Sequence, residues 1–233
     1  MERAPKKSSS REVAETLANG AAGMIPVVGS PIAIVLGLVM GYGYNKRMEQ
    51  WRDAVAEAIT DLQNRMDKPL DLEALAEDPD FLDTLVAATR AAQGTSREEK
   101  LLALRNAVAN SLLPTAPEDD LRLRFIRIID EMTPPHLLVL RFLNDPRGWY
   151  DEHPDVQAPN ILSGGKSSIL GPAFSALQKE HLTRLLGDLG RWDLAVANYN
   201  TVMTAQGVWS PSTTDLGRRL LVYIDVPDPG GAS

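Results

Sequence analysis

The chain contains no cysteine. Disulfides and thiolate metal sites are therefore excluded, and a reducing compartment is the natural setting. Histidine is scarce as well: His136, His153 and His181 are the three in the chain. None has an i,i+4 histidine of the kind that holds zinc on one helix face, so each is expected to be structural or solvated. Cationic residues are outnumbered. Lys and Arg total 24 against 31 Asp and Glu, a net charge of −7, so overall charge gives no help to binding nucleic acid or an anionic membrane. No export signal is read. Met1 to Arg11 is polar and basic, but Glu12 and Glu15 precede the apolar residues, and no small-residue cleavage site follows them. These absences point to a cytoplasmic protein, with association at the inner membrane as the alternative.

With 44% hydrophobic and 24% charged residues, the chain has the composition of a folded protein. Its length suits one sizeable core or two small ones. The most unusual segment lies between Glu15 and Lys46, about 30 uncharged residues, long enough to cross a bilayer. Pro26, Gly29 and Pro31 mark a turn inside it, which predicts an apolar helical hairpin. Ser30 is a natural N-cap and Pro31 fits the first helical position. The second arm continues through Met48, Trp51, Val55, Ile59, Leu62 and Met66, whose steps of three and four define one helix face. A single helix from Pro31 to about Met66 would be about 50 Å long.

Gly37 and Gly41 are spaced as small residues are where helices approach closely in lipid, and Ala33 and Gly43 extend the pattern. Lys46 and Arg47 end the apolar stretch, as they would at a headgroup boundary. A helix apolar all round can equally be the centre of a bundle or an oligomer interface. The prolines also shorten its unbroken apolar run to about 14 residues, which favours a buried or interfacial helix. Both readings stand at this point.

Clear punctuation follows. Asp78-Pro79 opens a helix bearing Phe81, Leu82, Leu85 and Val86, and Gly94 ends it. Ser96-Arg97-Glu98-Glu99 reads as a capping box for a helix with Leu101, Leu104, Val108 and Leu112. Acidic residues from Glu118 to Asp120 suit the first turn of the next helix, and Thr133-Pro134 caps another. Pro146 to Gly171, rich in Pro, Gly, Ser and Asn, reads as a loop or hinge. A helix near 173–189, short strands in a hairpin at 195–210 and a helix from Thr214 then suggest a small winged-helix-like module. The expected fold is mainly α: a polar tail at 1–11, a helical bundle at 12–145 containing the hairpin of 12–66, the hinge at 146–171, the α+β module at 172–226 and a disordered tail at 227–233.

Catalytic motifs are weak. Asn160-Ile-Leu-Ser-Gly-Gly-Lys-Ser167 resembles a phosphate-binding loop but starts with Asn160, where glycine is needed, and follows no buried strand. Leu220 to Asp225 resembles a magnesium-binding strand, but the intervening chain shows no alternation of strand and helix. Paired carboxylates sit in helix first turns. No enzyme activity, metal, cofactor or small-molecule substrate is expected. For nucleic acid, Lys179 and Arg184 are the candidate contacts, but Glu180 and Asp188 share their helix, so such binding is disfavoured.

The order of the Gly/Pro-rich apolar stretch, a long charged helix, the segment from Glu98 to Leu113, and Phe125-Ile-Arg-Ile-Ile-Asp-Glu-Met-Thr-Pro134 resembles the bacterial abortive-infection alpha family and related uncharacterised helical proteins. Met203-Thr-Ala-Gln-Gly207 and Thr214-Asp-Leu-Gly-Arg-Arg219 add to the likeness. The chain differs in its longer stretch from Pro146 to Gly171. The resemblance implies a bacterial source and a role in phage defence or stress. The functional expectation is a non-catalytic effector or adaptor. Its hairpin would mediate self-association or membrane insertion, and its C-terminal module would contact a protein partner. A winged-helix nucleic-acid-binding regulator and a structural subunit of a larger complex are the alternatives.

Overall fold

The computed structural model describes residues 46–196 and 199–229. The hairpin positions Pro26, Gly29, Pro31, Ala33, Gly37, Gly41 and Gly43 lie outside the described residues, as do the tail of 1–11 and residues 230–233. Among the described residues the protein is mainly helical, with eleven helices and one two-stranded ribbon. None of the described helices is long and apolar enough to cross a membrane. The chain divides into two compact units. Among the described residues, one ends at Arg127 and includes 226–229; the other is Ile128–Asp225.

The first unit contains α1 (Lys46–Arg65), α2 (Leu72–Glu77), α3 (Pro79–Gln93), α4 (Glu98–Asn110) and the start of α5 (Asp119–Glu131). Lys46 opens α1 and Arg47 is exposed on it. The periodic residues Met48, Trp51, Val55, Ile59 and Leu62 are all buried. They face α3 and α4, which pack on each other and on α1. Burying such side chains contributes about 2 kcal/mol each. At one end, Leu62 and Ala58 meet Ala109 and Leu113, with Met66 and Leu112 against them. The Trp51 indole N–H donates to the Thr89 hydroxyl at 3.1 Å, so the buried ring is not left with an unpaired donor.

Helix starts follow local chemistry. Asp71 and Asp78 accept first-turn N–H bonds in α2 and α3. The capping box expected at Ser96 does not form. Arg97 occupies the N-cap without a side-chain bond, and Thr95 instead accepts the Arg97 N–H at 3.2 Å. Phe81, Leu85, Leu104 and Val108 are buried as expected, whereas Leu82 and Leu101 are half-buried and Val86 is exposed; Ala88, Ala91 and Ala92 in α3 and Ala103 and Ala107 in α4 complete the buried faces.

The second unit contains the end of α5, then α6 (Pro134–Asn144), α7 (Pro146–Glu152), β1 (Ser163–Gly164), α8 (Ser167–Ala173), α9 (Lys179–Arg191), β2 (Met203–Thr204), α10 (Ala205–Trp209) and α11 (Asp215–Ile224). The stretch expected as a hinge, 146–171, lies inside this unit and includes α7, β1 and most of α8. Asp145 caps α7 by accepting the Gly148 N–H at 2.9 Å. Trp149 and Tyr150 set their rings edge-on to Phe142 of α6. A seven-residue helix held by aromatic contacts is too short to show a period, which is why it reads as loop.

The hairpin expected within 195–210 is also corrected. Among the described residues there, the strand is Met203–Thr204, which pairs antiparallel with Ser163–Gly164, with Ser163 opposite Thr204. Immediately afterwards the Thr204 side chain accepts the Gly207 N–H and the chain turns into α10. A second antiparallel bridge joins Ala195 to Thr213. Leu194 is pinned beside it: its carbonyl accepts the Thr214 N–H at 3.0 Å.

Gly217 is required by that contact. Thr214 caps α11 and accepts the Gly217 N–H at 3.0 Å, which sets the first turn of the helix against the Leu194 backbone. A Cβ at Gly217 would stand 2.1 Å from the Leu194 carbonyl oxygen. Gly217→Ala is expected to destabilise the protein by about 3 kcal/mol through overpacking. It should lower the urea midpoint without changing the slope of the transition.

Candidate functional site

The phosphate-loop-like residues resolve first. Lys166 sits at the N-cap of α8 and is buried. Its ammonium turns away from solvent and donates to the carbonyls of Gly207 at 3.2 Å, Val208 at 2.9 Å and Ser210. These are the C-terminal carbonyls of α10 and its cap, acceptors that a helix end leaves without partners. Burial pushes the Lys166 ammonium below its ordinary pKa, while the three acceptors and the negative end of α10 favour its charge. Lys166 is therefore a helix cap from another segment, and its ammonium is committed to carbonyls rather than to phosphate. The adjacent Gly165 allows close packing of backbone: a Cβ there would meet the Tyr199 carbonyl oxygen at 2.7 Å. The Ser167 N–H donates to that same oxygen at 3.2 Å.

Asp225, His153 and His136 are also engaged by the fold. Asp225 follows α11 as its C-cap and bridges Arg141 at 2.6 Å, so the acidic-strand reading of Leu220 to Asp225 is replaced by a helix end. His153 stacks on Trp149 with ring centroids 4.0 Å apart. His136 is buried at the third position of α6, where its Nδ1 accepts the Thr133 N–H at 3.0 Å. That bond fixes the neutral ring's proton on Nε2, which lies 3.3 Å from Asp188 and donates to it. Burial first, and the charge of His181 second, push His136 down to about 4. Asp188 also pairs with Arg191. Among the described residues no group of three or more His, Cys, Asp or Glu is placed to hold a metal.

A concave site does exist in the second unit. A groove of about 940 Å³ lies among α8, the turn after it, α9 and the residues from Tyr199 to Thr201. Its apolar wall includes Leu170, Phe174, Leu177, Leu182 and Leu186, and its polar atoms come from Ser167, Thr183, Asn200 and their neighbours. The volume is in the range of small-molecule sites, and so is the mixture of apolar wall and few polar groups. Leu170 and Leu186 are buried beneath the surface, while Phe174 is anchored by edge contact with Phe142.

Of the two sequence candidates for nucleic-acid contact, Lys179 borders this groove and is exposed; Arg184 is exposed on α9 but is not part of the lining. Tyr199 borders it too. Its side chain is buried and its hydroxyl has no hydrogen-bond partner among the described residues. Burial pushes the phenol up to about 12, so it is a proton donor throughout the physiological range. Sequence reading missed Tyr199 and the leucine wall, because the groove is assembled from three segments with unrelated patterns. One signal was present: Gly187 lies in the middle of the amphipathic α9, where glycine weakens a helix.

No family model matches the chain, and no curated protein or solved structure matches it either.

Two outcomes follow. Lys166→Met removes the ammonium shared by three carbonyls, of which Gly207 retains Ser210 as a donor, and should cost about 3 kcal/mol, read as a lower urea midpoint. For His136 the folded pKa is depressed, so its stabilising contribution is full above about pH 6.5. It falls as pH drops through the window down to about 4, where the unfolded chain binds a proton that the folded chain refuses. The melting temperature of the wild-type protein should therefore drop more between pH 7 and pH 4.5 than that of His136→Asn, measured by circular dichroism.

Proposed function

We propose that the protein is a non-catalytic effector or adaptor. Its second unit binds a ligand or partner in the groove beside α9, and its glycine-rich segment of 16–45 self-associates or engages a membrane. The observation that carries this reading is the composition of the groove. Among the described residues that line it, Lys179 is the one ionisable side chain besides the strongly raised phenol of Tyr199, set among leucines, a phenylalanine and hydroxyls. Such a wall favours binding over acid–base or nucleophilic chemistry, which needs groups poised to exchange protons. The positions of Lys166, His136 and Asp225 support it further, since each is engaged by the fold. The small-residue spacing of Gly37 and Gly41 supports the second half. A place in phage defence or stress enters through the family resemblance.

The test is expression in bacteria with growth as the readout, followed by membrane isolation and an alkaline carbonate wash. The wild-type chain is expected to arrest growth. Gly37→Leu and Gly41→Leu are expected to relieve the arrest by blocking close helix approach, with loss of the washed-membrane fraction or of the oligomer. Growth arrest that survives both substitutions would overturn the reading.

A second reading treats 172–226 as a winged-helix regulator of nucleic acid. It is favoured by the exposure of Lys179 and Arg184 on α9 and opposed by the exposed Glu180 of the same turn. It requires duplex binding that weakens with added salt and is lost in the Lys179→Ala, Arg184→Ala double variant.

A further inference from the structure

We draw no further inference here: the strongest candidate, the leucine-walled groove between α8 and α9 in the second unit, belongs to the site already described, and nothing among the described residues shows what covers it.

Discussion

The second unit depends on one buried ammonium group. Lys166 lies between β1 and α8 in sequence and donates to the end of α10, more than forty positions further on. A chain with two-residue strands and several helices of five to seven residues gains little from hydrogen-bond ladders or helix propensity. It is held by bonds between distant segments. The ammonium draws the β1–α8 connection against the turn after α10, and the Ser167 N–H ties that connection to Tyr199. One wall of the groove is thereby placed relative to another. Desolvating a charge is costly, and three carbonyl acceptors offset that cost; an apolar residue of similar size would remove their shared donor, leaving Gly207 with Ser210 alone.

What was legible in the sequence and what was not divides along the same physical line. The face of α1 could be read residue by residue, because Met48, Trp51, Val55, Ile59 and Leu62 repeat over several turns against a regular neighbour. Asp78 and Thr133 were readable as helix starts because a cap acts within three residues of itself. Ser96 misled because Thr95, one residue earlier, offers the same oxygen. Stretches stabilised by distant contacts gave no local signal. Proline and glycine in 146–171 speak for a loop, and only the rings of Phe142, Trp149 and Tyr150 make a helix of its beginning. The pairing of Met203–Thr204 with Ser163–Gly164 replaces a local hairpin for the same reason.

The candidate site illustrates this more sharply. Lys179 was visible because charge is visible, although its setting is a groove with an apolar wall. The wall was invisible because leucine at helical spacing looks the same whether it faces a core or a cleft. Lys166 stands out in a glycine-rich motif; its partner, a helix end far along the chain, has no signature of its own. His136 shows the same economy of use. A residue type often reserved for chemistry acts here as an acceptor for the Thr133 N–H and a donor to Asp188.

Gly165 and Gly217 are both pressed against main-chain atoms, the Tyr199 carbonyl in one case and the Leu194 carbonyl in the other. A clash with a side chain can be relieved by shrinking that side chain. A clash with a peptide oxygen has no such remedy, because every amino acid carries the same peptide group. No single exchange elsewhere in the chain restores space at these two sites. Descent from a common ancestor that preserves this fold must therefore preserve glycine at both. The pair, with the lysine that immediately follows the first and the threonine three places before the second, forms a sparse signature by which remote kin could be recognised after the rest of the sequence has diverged.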